Sequence, residues 1–270
     1  MNMMGDGRVK VAIVQSAFIP WSGYFNMIDE VDVFVYLDDA QFTVRDWRNR
    51  NRIRTREGWI WLTIPVRMRK PYFEYRICEV EIDYSHRWMD KHLRTIEYSY
   101  KRSPFFQEVF QMVKAVYLKK PRYLVELNYA FIDFICDYMG LKRKKVLYSQ
   151  NMGIPAHLKK TDKLMYILEQ LGEVDVYLSG PKARAYLEVG KLHGAGIKVE
   201  WHEYEHPYYE QNRWGTRFFI THLSVLDLLF NHGRRSLEII KRKRVLRKPD
   251  DVIMVSADEY RGIYSGGGRT

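Results

Sequence analysis

The chain has 270 residues, 46% of them hydrophobic, which is enough to bury a substantial core and argues against a disordered or fibrous protein. No apolar run approaches the roughly 18 residues of a membrane span, and no signal-peptide pattern opens the sequence, so a cytoplasmic protein is expected. The formal net charge of +11 favours anionic partners and leaves open phosphorylated metabolites, nucleic acid and an acidic membrane face.

The first third of the chain has the pattern strand, helix, strand. Residues 9–15 form a short β-branched run, residues 20–30 can form a helix, and residues 31–39 form a second apolar run. This order predicts a parallel crossover unit. Two further aromatic and β-branched runs, at 58–66 and 77–84, predict a hairpin or an extension of the sheet.

Helical periodicity replaces the strand pattern over residues 86–140. Apolar residues that include Trp88 and Ile96 lie on one helical stripe, and two further helices are predicted at 105–118 and 123–140. This part of the chain is expected to be mostly helical.

Strands and helices alternate again from residue 144 to residue 233, which is the order of an α/β fold. We therefore expect a Rossmann-like, mostly parallel sheet flanked by helices, with the mostly helical region at about 86–140 inserted into it. Residues 9–240 are expected to form this single domain. Residues 241–270 are expected to be a basic C-terminal tail with a solvated charge run.

Polar residues follow four of the predicted strands. In open parallel sheets ligands bind beyond the carboxyl ends of the strands, where loops and helix N-termini present amide donors. The residues in these positions are Gln15; Asp38, Asp39 and Gln41; Ser179 and Gly180; and the segment 202–206. If the sheet is parallel, all four groups lie on one edge. Each also has a purely structural explanation, since aspartate can end a strand and serine can cap a helix.

The segment His202–His206 matches the metalloprotease pattern His-Glu-x-x-His, which binds zinc because a helix places the two histidines beside one ion. Here the sequence alternates as a strand, and Pro207 disfavours helical geometry at His206. Histidines four apart on a strand are separated by roughly 13 Å, so no metal is expected. His206 beside aromatic residues and Gln211 is instead a candidate general base, or else a histidine that caps a turn.

Other common catalytic motifs are not present. The sequence contains no Gly-x-Ser-x-Gly elbow, no Gly-x-x-x-x-Gly-Lys phosphate loop and no Gly-x-Gly-x-x-Gly fingerprint. Cys78 and Cys136 lie in apolar segments and predict buried thiols rather than a disulfide or a zinc site. Ser224, Asp227 and Gly233 fit the cap and the stop of a helix and are interpreted as structural.

Six arginines occur within residues 45–56, RDWRNRNRIRTR. In an extended conformation those at alternate positions line one face, with Asn49, Asn51 and Ile53 on the other. The run can be an open stripe for nucleic-acid phosphates, a loop from which a few guanidiniums clamp a diphosphate, or a solvated face paired with nearby acids. The neighbouring Asp38 and Asp39 favour the diphosphate clamp over the nucleic-acid stripe, because adjacent carboxylates repel a polyanion.

Several stretches together resemble the WbqC-like family, in the same order: VAIVQ, IPWSGYF, DVFVYLDDAQF, NRNRI, WLTIPV, YLSG with AYL, YEHPYYEQ and LSVLDLLFNHG. The resemblance covers about residues 9–235. The family commonly has a proline directly after the first-strand glutamine, where this chain has Ser16. The first crossover unit and YLSGPKARAYL are also similar, at the level of the fold, to nucleotidyltransferase-type Rossmann units.

The resemblance implies a pathway more firmly than a reaction. Members of the family are associated with bacterial surface-polysaccharide (O-antigen) gene clusters, and some with N-acyl or aminoacyl decoration of amino sugars. We therefore expect a transferase that attaches an acyl or aminoacyl group to a nucleotide-linked amino sugar. The expected donor is an acyl-CoA, a carrier-protein thioester or ATP, and an acyl carrier protein is a candidate partner. The alternatives are a nucleic-acid-binding module and a non-catalytic accessory protein of polysaccharide assembly.

Asp39 and His206 are the predicted acid/base groups. Arg50 and Arg52 are predicted to hold the diphosphate. Amide formation requires the attacking amine to lose a proton, for which a carboxylate or an imidazole suffices without a covalent enzyme intermediate. The predicted substrate-binding residues are Gln15, Trp21, Tyr24, Asp38, Gln41, Arg50, Asn51, Arg52, Ser179, Gly180 and Gln211.

Overall fold

The structure is a computed structural model that describes residues 8–212, 214–242 and 246–260. Its strands are β1 Lys10–Val14, β2 Val33–Tyr36, β3 Arg50–Thr55, β4 Gly58–Thr63, β5 Val66–Arg67, β6 Glu81–Ile82, β7 Lys145–Tyr148, β8 Val176–Ser179, β9 Lys198–Trp201, β10 Phe218–Thr221 and β11 Ile253–Ser256. Its α-helices are α1 Ser22–Glu30, α2 Trp88–Tyr100, α3 Phe106–Leu118, α4 Leu124–Met139, α5 Lys160–Gln170, α6 Val189–Gly194, α7 Leu226–His232 and α8 Ser236–Ile240.

A five-stranded sheet with the order β7-β2-β1-β8-β9 forms the centre of the fold. Every neighbouring pair in it is parallel, so all five carboxyl ends lie at the same edge. This confirms the predicted α/β class with a mostly parallel, Rossmann-like sheet. Among the described residues no helix is both long and apolar enough to cross a membrane.

Successive residues of the central strands pack into two different cores, one on each face of the sheet. In β2, Phe34 and Tyr36 join the core that α1 and α4 cover, whereas Val33 and Val35 join the core that α5 and α6 cover. Strand side chains alternate between faces, and burial on both faces explains why these strands are continuously apolar.

The predicted helical region lies between β2 and β7. It consists of α2, α3 and α4, which pack on the same face of the sheet as α1. Helix α4 ends at Gly140, whose φ of 71° is the left-handed cap that the sequence pattern predicted.

Three local predictions differ from the structure. β4 pairs antiparallel with the arginine strand β3, and the run at 77–84 contributes only β6, which pairs with β5. In the part where strands and helices were expected to alternate, the chain between β8 and β9 forms a 3-10 turn, Pro181–Ala185, and the short α6 instead of one continuous helix. At the start of α7 the Ser224 hydroxyl accepts the Leu226 amide at 3.3 Å, as a cap does, but Asp227 does not complete the predicted pair, because its carboxylate accepts from Tyr100 and Tyr209.

β11 was not predicted from the sequence. It lies within the residues expected to form a basic tail and pairs in parallel with β10. The turn that follows it, residues 257–260, packs against the arginine hairpin β3-β4, because the Trp59 indole N–H donates to the Ala257 carbonyl at 2.6 Å.

Candidate functional site

The carboxyl edge of the central sheet is the candidate site. In the sheet, β1 lies between β2 on one side and β8 on the other. The chain builds the sheet outwards from β1 in one direction through β2 and β7 and in the other direction through β8 and β9, so the strand order reverses at β1. In sheets of this kind ligands bind beyond the carboxyl ends of the strands at the reversal. Residues 15–21, which we call the β1 loop, and residues 179–182 therefore border the expected crevice.

The β1 loop is held in shape by polar contacts to its backbone. The Tyr24 hydroxyl donates to the Gln15 carbonyl (3.1 Å), and the Asn51 carboxamide donates to the carbonyls of Phe18 (3.0 Å) and Ile19 (2.8 Å). Ile19 has a φ of 41°, in the left-handed region that β-branched residues rarely adopt. Tyr24 and Asn51, both predicted to bind substrate, thus contact the loop backbone and are buried.

Asp38 lies fully buried beneath the β1 loop. Its carboxylate accepts hydrogen bonds from the Ser16 amide (2.9 Å) and the Tyr129 hydroxyl (2.7 Å). Burial raises the pKa of Asp38, and these hydrogen bonds oppose the rise. A proline at position 16 would lack the amide hydrogen, so Ser16 fixes the loop with a contact that proline cannot make.

Asp39 forms an ion pair at the end of β2. The Lys163 ammonium on α5 lies 2.6 Å from one carboxylate oxygen, and the Ser149 hydroxyl donates to the other at 2.5 Å. The Asp39 side chain is 9% exposed. Both carboxylate oxygens of Asp39 are therefore engaged, one by Lys163 and the other by Ser149.

Four aromatic side chains gather where the β1 loop meets the segment after β9. We call Trp21, Tyr204, His206 and His222 the aromatic cluster. The Trp21 ring centroid lies 5.4 Å from His222, 5.5 Å from Tyr204 and 6.4 Å from His206. Gly23 leaves room for this arrangement, because a Cβ atom there would overlap the indole of Trp21.

The contacts of His206 define its tautomer. Its Nδ1 lies 3.0 Å from the Pro207 carbonyl, which can only accept, so Nδ1 carries the proton and Nε2 carries the lone pair. Nε2 has no hydrogen-bond partner within the described part of the chain. Burial lowers the pKa of His206 to about 4, so the imidazole is neutral at pH 7; its Nε2 lone pair is available, but the same burial makes it a weaker base.

His202 has a different environment although it is only four residues away. Its Nε2 bonds to the Asn26 carboxamide oxygen (2.8 Å), and burial lowers its pKa to about 4. The segment from His202 to His206 is irregular rather than helical. The geometry that lets His-Glu-x-x-His bind zinc is therefore not formed.

The arginine run forms the extended strand that the alternation predicted, with Arg50, Arg52 and Arg54 on one face of β3. Arg54 is fully buried and donates to the carbonyls of Thr55 (2.7 Å) and Gly58 (2.6 Å). The Arg50 guanidinium lies 4.0 Å above the Trp61 ring. These guanidiniums are therefore in aromatic and backbone surroundings rather than on an open basic stripe.

Arg52 occupies the centre of a cage of three indoles. Its guanidinium carbon lies 5.1, 4.7 and 4.6 Å from the rings of Trp47, Trp59 and Trp61. Its side chain is 5% exposed, and Nη2 bonds to the Asp258 carboxylate at 2.6 Å. Arg52 is one of the two predicted diphosphate ligands, and in the free protein an aspartate occupies one edge of its guanidinium.

Gln211 belongs to a buried network behind the aromatic cluster. Its carboxamide donates to the Asp227 carboxylate at 2.7 Å, and the hydroxyls of Tyr209 and Tyr100 donate to the same carboxylate at 2.8 and 3.0 Å. Asp227 is fully buried. Because Tyr209 packs on His206 with ring centroids 5.9 Å apart, this network supports the segment that carries His206.

The remaining predicted residues lie at the sheet edge. Ser179 is buried at the end of β8, and its carbonyl accepts the His202 amide at 2.8 Å. Gly180 follows it, with no atom within 4 Å of the position of a Cβ. Gln41 is exposed and forms an isolated antiparallel bridge with Arg76.

Two groups of predicted residues result. Trp21 and His206 meet in the aromatic cluster, whereas Asp39 lies at the end of β2 and has no partner in common with His206 among the described residues. His222 and Asp258 were not predicted from sequence. The left-handed backbone of His222, φ 59°, and its position after β10 give no local sequence signal.

The fold and its carboxyl edge place the protein in the class of Rossmann-like α/β proteins, which bind ligands at this edge. A family model for the WbqC-like protein family matches residues 15–239, and the chain belongs to that family. The chain is similar to the uncharacterized protein Rv1507c of Mycobacterium tuberculosis (strain ATCC 25618 / H37Rv), with 36% identity over 233 residues that cover 86% of this chain and 97% of the relative. No solved structure matches the chain.

Proposed function

We propose that the protein is a transferase that attaches an acyl or aminoacyl group to the amine of a nucleotide-linked sugar in bacterial surface-polysaccharide biosynthesis. The observation that carries this proposal is His206, a neutral imidazole whose Nε2 has no partner among the described residues, in an aromatic cluster with Trp21 of the β1 loop. Such a site suits a substrate that has a flat base or sugar ring to stack and an amine to deprotonate.

The chemistry assigns a definite proton path. The sugar amine attacks the carbonyl carbon of the activated acyl group, and His206 Nε2 takes the proton that the amine loses. With an acyl-CoA or a carrier-protein thioester as donor, the C–S bond breaks and the thiolate receives that proton. With ATP, a free acid is first converted to an acyl phosphate with release of ADP; the amine then displaces inorganic phosphate as the C–O bond breaks, and His206 takes the same amine proton.

The charges of the chain support an anionic substrate. The formal net charge of +11 attracts a nucleotide diphosphate, and Arg52 lies close enough to His222 that its charge lowers the pKa of this cluster residue. A nucleic-acid-binding role receives less support, because Arg54 is fully buried and Arg50 and Arg52 lie against tryptophan rings, so the run does not form a continuous open stripe for a phosphate backbone.

A ligand panel followed by a turnover assay tests the proposal. UDP-, GDP- and dTDP-linked amino sugars, carrier-protein thioesters, acyl-CoA, ATP and short RNA are compared by thermal shift, since a ligand that binds only the folded state raises the melting temperature. Amide product is then followed by mass spectrometry for the wild type, His206→Gln and the exposed control His193→Gln. We expect loss of product only in His206→Gln. Stabilisation by RNA alone, or full turnover by His206→Gln, would refute the proposal.

A further inference from the structure

Arg52 is a buried cation whose hydrogen-bond donors are only partly used. Its side chain is 5% exposed, and Nη2 has a single partner, Oδ1 of Asp258. Nε and Nη1 are buried and have no hydrogen-bond partner among the described residues. A guanidinium has five N–H donors in a planar fork, so most of this fork is unsatisfied.

The cage of indoles fixes the guanidinium without satisfying it. Trp47, Trp59 and Trp61 all lie within 5.1 Å of the Arg52 guanidinium carbon. Ring faces attract the positive charge, but they offer no oxygen in the plane of the fork. The side chain is therefore pre-positioned for an anion with more than one oxygen, which can accept two parallel hydrogen bonds.

The Asp258 side chain is a largely exposed occupant. It is 79% exposed, and it bonds to one nitrogen of Arg52 with one oxygen. Asp258 belongs to the turn 257–260, in which Ala257 and Tyr260 are buried and the Ala257 carbonyl accepts a hydrogen bond from Trp59. Rotation of the Asp258 side chain into solvent would free this edge of the Arg52 guanidinium while the turn stays in place.

The Arg52 guanidinium also lies near the aromatic cluster. Burial lowers the pKa of His222, the Asp258 charge raises it and the Arg52 charge lowers it, so His222 is within electrostatic range of both groups. His222 in turn stacks on Trp21 at 5.4 Å. His222 thus connects the surroundings of Arg52 and Asp258 to the aromatic cluster.

We propose that the Arg52 guanidinium is the binding site for a substrate diphosphate and that the Asp258 carboxylate occupies this site in the free protein as an internal competitor. Exchange of one anion for another keeps the buried cation balanced throughout. The identification of the anion as the diphosphate of a nucleotide sugar rests on the proposed function, whereas the exchange itself rests on the contacts of Arg52.

Inorganic pyrophosphate is the probe, and its dissociation constant is measured by calorimetry on the full chain. Removing the competing charge with Asp258→Asn should tighten binding about three- to fivefold, the range typical of one partly exposed ion pair. Asp251→Asn, an exposed aspartate of the same part of the chain, should leave the dissociation constant unchanged. Arg52→Lys should weaken binding about tenfold or more, because an ammonium lacks the fork.

Equal dissociation constants for wild type and Asp258→Asn would overturn the inference, and so would undiminished binding by Arg52→Lys. Pyrophosphate binding needs neither an acyl donor nor turnover. The dissociation constants can therefore be interpreted even if the transferase proposal fails. Conversely, amide formation with unchanged pyrophosphate affinity in Asp258→Asn would retain the transferase and remove the internal competitor.

Discussion

The buried carboxylate of Asp227 allows a stringent test of how the candidate site is held together. Tyr100, Tyr209 and Gln211 all donate to it, and it has no exposed surface. Asp227→Ala would leave three buried donors without an acceptor, at about 1–3 kcal/mol each. Burial lowers the pKa of Arg54 and the Asp227 charge raises it, so the alanine variant also weakens a buried charge pair.

We expect Asp227→Ala to lower the free energy of unfolding by about 4–6 kcal/mol, a large part of the roughly 5–15 kcal/mol typical of a domain. Asp227→Asn should lose less, about 2–4 kcal/mol, because its amide oxygen can still accept from Tyr209 and Gln211. Its NH₂ group would face the Tyr100 hydroxyl, which already accepts from the Arg54 amide at 3.0 Å.

Urea unfolding monitored by tryptophan fluorescence measures both variants, with the exposed Asp250→Asn as the control. Burial raises the pKa of Asp227, so between the usual value of 3.8 and the raised value the folded state binds more protons than the unfolded chain. This group therefore makes stability fall as the pH rises through that window, and Asp227→Asn should lack that slope. Losses below about 1 kcal/mol in both variants would refute the account of the network.

Three further changes have distinct outcomes. Gly23→Ala should displace the Trp21 indole and abolish the thermal stabilisation that a ligand gives. The variant should also gain up to about 1 kcal/mol from the higher helix propensity of alanine in α1. Unchanged stabilisation by ligand would exclude Trp21 from the site. Burial lowers the pKa of His92 to about 4 from the ordinary value of 6.5, so as the pH falls from 6.5 towards 4 only the unfolded chain gains this proton, and the free energy of unfolding decreases by roughly 3 kcal/mol. His92→Gln should lack this decrease when stability is measured by urea unfolding. An identical pH dependence in the variant would contradict this assignment. Burial raises the pKa of Cys136 to about 12 and also raises that of Cys78, so iodoacetamide at neutral pH and the two alanine variants should leave turnover intact, and inactivation would implicate a thiol.

Local sequence patterns predicted the parts of the fold that depend on local physics. Short, continuously apolar runs identified the central strands, since a strand buried on both faces needs apolar side chains on each of them. Gly140 marked the end of α4 because glycine tolerates a left-handed cap. The ends of helices were predicted less well. Ser224 and Asp227 have the spacing of a capping box, and the Ser224 hydroxyl does accept the Leu226 amide, but the Asp227 carboxylate accepts from buried tyrosines instead of completing the box.

Part of the candidate site could also be predicted from sequence patterns. Parallel strands bring their carboxyl ends to one edge, so the groups at Gln15, Asp38, Ser179 and His202 could be gathered from the sequence alone. The roles of the individual residues could not be predicted from the sequence. Asp39 pairs with Lys163, 124 residues further along the chain, and no local pattern encodes which distant side chain meets a carboxylate.

The arginine strand separates the two kinds of information most clearly. The sequence by itself determined that alternate arginines share one face of an extended strand, because the backbone period requires it. Only the tertiary structure decided that Arg52 is enclosed by three indoles and bonded to Asp258, which is 206 residues away in the chain. An exposed basic stripe and a buried guanidinium have the same local pattern, and they differ only in what the rest of the chain packs against them.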